Sequence, residues 1–174
     1  MTEQVILKTT LGEIHIALDE AKAPKTVANF LKYLNKKHYD GTIFHRVIDN
    51  FMIQGGGMNE KLEPRRTDDP IENEADNGLT NEVGTIAMAR TQDPHSASCQ
   101  FFINVADNAF LNHTAKTPDG WGYTVFGKVT AGLDVVQRIA KTETGNQGHY
   151  QDVPTSPIYI DSVTQVTETT EATQ

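Results

Sequence analysis

Apolar residues alternate with polar or small ones at the start of the chain. Residues 5–7 form a short apolar run, a turn follows near Gly12, and every second residue from Ile14 to Leu18 is apolar. A period of two residues is typical of a strand that buries one face. The pattern therefore predicts a β-hairpin over residues 4–19.

A helical period replaces this alternation further along the chain. The positions with the spacing of one helix face are Val27, Phe30, Leu31 and Leu34. Together with Pro24, which suits a first helical turn, the spacing predicts an amphipathic helix over residues 24–37. A shorter helix is predicted from Leu133 to residue 139 or 140.

Most other apolar segments have the length of a strand. They span residues 43–48, 51–54, 85–89, 100–105, 124–129 and 158–163. Many short strands with two helices predict a mainly β fold, whose antiparallel sheet closes so that no edge stays unpaired. Two long irregular stretches, 55–82 and 112–123, are rich in Gly, Pro, Asn and Asp, and loops of this length are often functional.

Length and composition predict one domain. The chain has 174 residues, of which 37% are hydrophobic, enough to bury a continuous core without disulfides or metals. We place this domain at residues 1–166. Residues 167–174 carry Thr and Glu without an apolar anchor, and this composition predicts a disordered tail.

Cysteine content and charge limit the location and the partners of the protein. Cys99 is the only cysteine, so nothing calls for an oxidising compartment. No basic segment precedes a long apolar stretch, and no apolar run approaches the roughly 20 residues that span a bilayer. We expect a cytoplasmic monomer without a membrane partner. The net charge of -8 disfavours a nucleic-acid partner, because it repels phosphates.

Two apolar side chains lie on faces that the strand pattern marks as polar. On residues 100–105, Phe101 and Ile103 share the core face, so Phe102 shares the opposite face with polar residues. Met52 likewise lies opposite its apolar neighbours. Packing under a loop explains each of these residues singly, and a partly exposed binding pocket explains both.

Arg46 interrupts the apolar run 43–48. A guanidinium in such a run must be paired or must line a cleft, because leaving it buried and unpaired is costly. The amide oxygen of Gln54 is a suitable acceptor that would fix its direction. A structural ion pair is the alternative to a catalytic role.

Other chemistries are disfavoured by spacing. None of the six histidines forms an i, i+4 helical pair or accompanies a cysteine set, so a metal site is not expected. Ser96 and Ser98 near His95 lack a G-x-S-x-G turn. The run Gly55–Gly57 follows a strand without opening a helix, and it predicts a backbone bend and no phosphate site.

Five segments together resemble the cyclophilin family, and particularly its bacterial cytoplasmic form. They are FHRVIDNFMIQGGG at 44–57, MARTQ at 88–92, QFFINV at 100–105, FL at 110–111 and VFGKV at 125–129. The resemblance runs from about residue 5 to residue 166. It implies a closed eight-stranded antiparallel β-barrel capped by two helices, with a substrate groove on the outside of the barrel wall.

The resemblance also implies an activity: peptidyl-prolyl cis/trans isomerisation, which assists protein folding and uses no cofactor. Its partners would be proline-containing peptides and unfolded proteins. It assigns catalysis to Arg46 and Gln54. The residues that it assigns to substrate binding are Phe51, Met52, Ala89, Arg90, Gln100, Phe102, Phe110, Leu111 and Tyr123.

Three positions depart from the common family pattern. Phe110 replaces a tryptophan, Tyr123 a histidine and Arg90 an asparagine that many members carry. Because the indole of that tryptophan donates a hydrogen bond to cyclosporin and Phe110 has no donor, we expect cyclosporin to bind weakly.

Two other functions stay open at this point. One is a proline-peptide binding module with incidental turnover, although binding alone does not need Arg46. The other is a barrel that carries a small apolar ligand inside, although Ile86, Phe101, Ile103 and Phe126 are large enough to fill the interior.

Overall fold

The computed structural model of the protein describes residues 3–148 and 150–166. The predicted tail at 167–174 therefore lies outside the described residues. The described strands are β1 (Glu3–Thr9), β2 (Gly12–Leu18), β3 (Thr42–Ile48), β4 (Met52–Gly55), β5 (Thr85–Met88), β6 (Phe101–Asn104), β7 (Val125–Ala131), β8 (Thr144–Gln147), β9 (Tyr150–Pro154) and β10 (Tyr159–Val166). The α-helices are α1 (Pro24–Asn35) and α2 (Leu133–Ala140).

Eight of these strands form one closed barrel. Neighbours follow the order β1-β10-β3-β4-β6-β5-β7-β2, and β2 pairs with β1 to close it. Every pair of neighbours is antiparallel. The predicted mainly β, eight-stranded fold with two helices is thus confirmed. Closure leaves none of the eight barrel strands with an unpaired edge.

A second, two-stranded sheet was not predicted. It consists of β8 and β9 and lies outside the barrel order. Its first strand, TGNQ, has no apolar alternation, so the sequence carries no period by which the strand could be recognised. The hairpin matters for the site because its residues 150–152 line a hollow together with His45 and Arg46.

Both helices bury their apolar faces on the barrel. Phe30 of α1 reaches the interior, where its ring centroid lies 5.8 Å from that of Phe101 and 5.4 Å from that of Phe126. Helix α1 ends at Asn35, two residues earlier than predicted, and Lys37 has a positive φ of 57°. Helix α2 packs Val136 and Ile139 on the same core.

The barrel interior is filled with side chains. Ile86, Phe101, Ile103 and Phe126 are completely buried and belong to one apolar cluster, here called the interior core. Side chains of this size occupy the space that an internal ligand would need. The structure therefore disfavours carriage of a small apolar ligand inside the barrel.

A smaller apolar cluster lies on the outside of the barrel wall. It is here called the outer cluster, and it consists of Met52, Ala87, Phe102, Leu111 and Val125. Successive residues of a strand point to opposite faces of the sheet, so β4 and β6 supply both clusters. The outer cluster is the floor of the candidate site.

Candidate functional site

A bulge in β3 turns Arg46 to the outside of the barrel. Phe44 and Val47 both belong to the interior core although they are three residues apart, which strict alternation does not allow. The register shifts between Phe44 and Arg46: Phe44 pairs with Gly55, and Arg46 pairs with Gln54. His45 is the extra residue. Bulges of this kind re-aim side chains next to active sites.

The barrel register places the predicted catalytic residues in one row. Arg46 on β3 is the partner of Gln54 on β4, and Gln54 is the partner of Phe102 on β6. Phe102 in turn is the partner of Ala87 on β5. Because neighbouring strands lie about 4.8 Å apart, this row brings a cation, an amide and an aromatic ring to one surface.

A pocket of about 120 Å³ opens on this row. Its lining comprises Arg46, Phe51, Met52, Gln54, Ala89, Arg90, Phe102, Leu111 and Tyr123. Of the residues predicted from the sequence, only Gln100 and Phe110 are not in this lining. Segments that are far apart in the chain are therefore brought together as the resemblance implied.

Phe102 and Met52 are more buried than the sequence analysis expected. We expected a partly exposed pocket wall, but Phe102 is only 4% exposed and Met52 only 2%. The expectation was wrong because both side chains pack against the other members of the outer cluster. The ring of Tyr123 also meets the ring of Phe102 edge to face, with their centroids 5.7 Å apart. Access to the ring of Phe102 is therefore confined to the pocket.

Gln54 has a different partner from the one expected. Its Nε2 donates to Oε1 of Gln100 at 3.0 Å, and no side-chain hydrogen bond joins Gln54 to Arg46 among the described residues. Gly57 makes room for this pair, because a Cβ there would collide with Cγ of Gln100. Gln100 thus supports the site from behind Gln54.

The guanidinium of Arg46 is available to a ligand. Within residues 3–148 and 150–166 it forms no hydrogen bond and no ion pair, and it lines the pocket from an exposed position. No carboxylate of the described chain forms an ion pair with Arg46, so the alternative of a structural ion pair is not supported. All five N–H donors of this side chain can face solvent or substrate.

Arg90 has a role that the sequence analysis missed. Its Nε donates to the Gly122 carbonyl at 2.9 Å and its Nη2 donates to the Pro118 carbonyl at 3.1 Å. Its guanidinium carbon also lies 4.8 Å from the ring centroid of Tyr123. The side chain thus ties the 112–123 loop to the pocket.

Phe110 lies at the rim of the site. It is 74% exposed and stacks on Phe51 with a centroid distance of 5.7 Å and an interplanar angle of 25°. The chain's tryptophan, Trp121, instead packs between His95 and His113 at centroid distances of 5.1 Å and 5.0 Å. Phe110 therefore lies beside the pocket wall formed by Phe51, whereas Trp121 does not line the pocket.

The site offers hydrogen-bond donors and apolar surface but no nucleophile of the usual kind. Among the described lining residues there is no carboxylate, imidazole or thiol. Burial and the charge of Arg46 lower the pKa of nearby His45 to about 4, so its imidazole is neutral at pH 7. Burial raises the pKa of Cys99 to about 11. The arrangement suits binding and electrostatic catalysis and does not suit covalent catalysis.

Comparisons with known proteins point to one family. The model of the family described as "Cyclophilin type peptidyl-prolyl cis-trans isomerase/CLD" matches residues 4–165. Peptidyl-prolyl cis-trans isomerase cyp18 of Streptomyces antibioticus is 61% identical over 158 residues, which cover 91% of this chain and 95% of that protein. Peptidyl-prolyl cis-trans isomerase B of Escherichia coli K12 is 53% identical over 160 residues, covering 92% and 98%.

Solved structures agree with this result. A crystal structure of a Cryptosporidium parvum cyclophilin-type peptidyl-prolyl cis-trans isomerase matches with a TM-score of 0.72 and 26% identity, over 97% of this chain and 99% of that chain. A second structure of that protein, crystallised in the presence of the dipeptide Ala-Pro, matches with a TM-score of 0.70 and 26% identity, over 95% and 99%.

Proposed function

The chain belongs to the cyclophilin-type peptidyl-prolyl cis-trans isomerase family, and we propose that its prolyl isomerisation takes place in the pocket beside Arg46. The proline ring of the substrate occupies the apolar part of the pocket, over Phe102 and Met52. The guanidinium of Arg46 acts on the X-Pro amide. The observation that carries the proposal is an unpaired arginine in one cross-strand row with a buried aromatic pocket floor.

The X-Pro bond resists rotation by about 18–20 kcal/mol, because the nitrogen lone pair is delocalised into the carbonyl. An N–H of Arg46 can donate a hydrogen bond to the prolyl nitrogen only when the amide is twisted and the lone pair is localised on that nitrogen. The hydrogen bond therefore favours the transition state over both ground states. A rate gain of about 10⁴ requires roughly 5–6 kcal/mol, and a charged hydrogen bond with a held ring is of that order.

Main-chain groups beside the pocket support peptide binding. The carbonyl of Ala89 and both main-chain polar groups of Arg90 form no hydrogen bond in the described chain, whereas the Ala89 N–H donates to Gln100 at 3.0 Å. Unpaired backbone groups in a groove can pair with an extended peptide. We assign them to the residue that precedes proline.

The substrates that we propose are proline-containing peptides and unfolded proteins. The likeness to a cyclophilin crystallised with Ala-Pro supports this substrate class. Assistance to folding in the cytoplasm follows as part of the proposal. No helix among the described residues combines the length and the apolar character needed to cross a membrane.

Replacing Arg46 by alanine tests the proposal. We expect kcat/KM for an Ala-Pro peptide, measured by NMR exchange or a protease-coupled assay, to fall at least roughly a hundredfold. Arg66→Ala is the matched control, because Arg66 is also an exposed arginine but does not line the pocket. Both variants should keep the wild-type circular dichroism spectrum and urea midpoint. Wild-type turnover in folded Arg46→Ala would rule out the proposed mechanism.

The same assay separates catalysis from a binding module. A binding module needs the pocket but not the guanidinium. Its function is peptide affinity, and Arg46→Ala would leave that affinity unchanged. Under our proposal kcat falls much more than peptide affinity, since the lost donor acts mainly in the transition state.

A further inference from the structure

Three buried asparagines lie directly behind the pocket. Asn81, Asn104 and Asn108 are at most 4% exposed, and none of them lines the pocket itself. A buried amide is costly unless its polar atoms are hydrogen-bonded. Three neighbouring buried amides must therefore be held by hydrogen bonds within the fold.

The three side chains form one hydrogen-bonded chain that ends at two pocket walls. Nδ2 of Asn108 donates to the Phe51 carbonyl at 2.9 Å and to Oδ1 of Asn104 at 2.7 Å. Nδ2 of Asn104 donates to Oδ1 of Asn81 at 3.0 Å. Nδ2 of Asn81 donates to the Leu111 carbonyl at 3.2 Å. Phe51 and Leu111 both line the pocket.

The direction of this asparagine chain is set by its two ends. The carbonyls of Phe51 and Leu111 can only accept hydrogen bonds, so an amide nitrogen must face each of them. With these two ends fixed, each link between neighbouring asparagines joins an Nδ2 donor to an Oδ1 acceptor, and no two donors or two acceptors face each other. An aspartate at any of the three positions would place a carboxylate oxygen against at least one acceptor, and a leucine would remove the side-chain hydrogen bonds of that position.

Each of these wall carbonyls also accepts one backbone N–H. The Phe51 carbonyl accepts from Val105 at 3.0 Å, and the Leu111 carbonyl accepts from Tyr123 at 3.0 Å. The asparagine chain therefore links the segment before β4, the end of β6 and the loop that carries Tyr123. The first two are also joined by the ladder of β4 and β6, which pairs Met52 with Asn104, whereas the segment with Leu111 and Tyr123 lies outside the barrel strands.

We propose that Asn81, Asn104 and Asn108 are positioning residues that hold Phe51 and Leu111 at the spacing the proline ring requires. They touch neither substrate nor Arg46 and act only through the walls. The proposal deepens the function proposed above and rests on it. Its effect should lie in KM, because the walls bind the ring in ground and transition states alike, whereas Arg46 acts on the twisted amide.

The test compares Asn108→Ala with Asn29→Ala. Asn29 is also 4% exposed, and its Nδ2 also donates to a backbone carbonyl, that of Ser98, which is not a pocket wall. Both variants should lower the Tm. Only Asn108→Ala should raise KM for an Ala-Pro peptide, by about tenfold, with kcat changed less than about twofold. Equal KM values in the two folded variants would overturn the proposal.

A measurement on the wild-type protein covers the case in which Asn108→Ala does not fold. The side-chain amide NMR signals of Asn81 and Asn108 should shift on saturation with an Ala-Pro peptide, while that of Asn29 should not. Unshifted signals of Asn81 and Asn108 would contradict the positioning role.

Arg46→Ala in the same series separates the two proposals. Loss of turnover in Arg46→Ala with an unchanged KM in Asn108→Ala refutes the asparagine role alone. Wild-type turnover in Arg46→Ala refutes the proposed site.

Discussion

Strand β6 contributes alternate residues to two apolar clusters. Phe101 and Ile103 belong to the interior core, and Phe102 belongs to the outer cluster. Phe101 and Phe102 are 0% and 4% exposed, so burial hardly distinguishes them. What differs is the surroundings: rings and a helix enclose Phe101 on all sides, whereas Phe102 meets a pocket and the row that contains Arg46.

The comparison shows that a buried aromatic residue can be part of a binding site. The interior core is closed, so its packing energy goes entirely into stability. The outer cluster stops at the pocket and therefore leaves apolar surface for a ligand. Its polar neighbours, Gln54 and Arg46, lie in register with Phe102.

The largest effect is expected from alanine at the two neighbouring phenylalanines. Phe101 packs edge-on against Tyr39 at 5.4 Å and Phe44 at 6.4 Å, so Phe101→Ala should cost about 3–5 kcal/mol of unfolding free energy and leave KM unchanged. Phe102→Ala should cost less, because water from the pocket can enter the space, but should raise KM at least roughly tenfold. Urea denaturation and peptide kinetics measure both quantities.

The two outcomes separate the clusters directly. If Phe102→Ala proves the more destabilising variant, or if both variants raise KM equally, the distinction between interior core and outer cluster is wrong. The kinetics must be measured where both variants are folded by circular dichroism.

The next effect concerns His45 and the loss of folding stability at acid pH. The pKa of His45 is lowered from 6.5 to about 4 by burial and by Arg46, so the unfolded chain binds a proton at this site between these values and the folded protein does not. The contribution of His45 to the free energy of unfolding should therefore be fully present above pH 6.5. It should fall by about 3 kcal/mol towards pH 4.

Urea denaturation of His45→Gln checks this expectation. The variant should lose less stability than the wild type between pH 7 and pH 4.5. Burial and Arg65 also lower the pKa of His38, so part of the wild-type slope should persist in the variant. Identical slopes in both proteins would show that His45 is not the group responsible.

The smallest effect is expected at the rim of the pocket. Phe110 is exposed and stacked on Phe51, but it has no hydrogen-bond donor for cyclosporin. A lost hydrogen bond that strands an acceptor costs about 1–3 kcal/mol, so Phe110→Trp should tighten cyclosporin inhibition roughly 5- to 150-fold. Turnover of an Ala-Pro peptide should change far less.

Titration of drug inhibition for the wild type and Phe110→Trp decides this prediction. Because Trp121 packs between two histidines away from the pocket, it cannot supply the missing donor. Equal inhibition constants would show that the indole contact contributes little at this rim.

Local patterns predicted most of the fold. Period-two alternation identified β1 and β2, and apolar segments of strand length identified the other barrel strands. The spacing of Val27, Phe30 and Leu34 identified α1. These signals depend only on near neighbours in the chain. The β8–β9 hairpin was missed, because its strands lack alternation. The faces of β6 were predicted correctly, but the burial of Phe102 was not, since a distant loop covers it.

What the sequence by itself determined about this protein is the chemistry available to the site: an arginine, two glutamines and an apolar set on segments whose order resembles one family. Side-chain identity and strand period are properties of neighbouring residues, so they can be read along the chain. The family motifs then supplied the roles of these residues as hypotheses.

Only the tertiary structure decided how that chemistry is held. The bulge at His45 that turns Arg46 outward exists because Phe44 and Val47 both reach the interior core. The contact between Arg90 and Gly122 and the bond from Asn81 to Leu111 join residues about 30 positions apart. Such contacts depend on how the barrel closes and leave no period in the sequence, so folding alone brings them together.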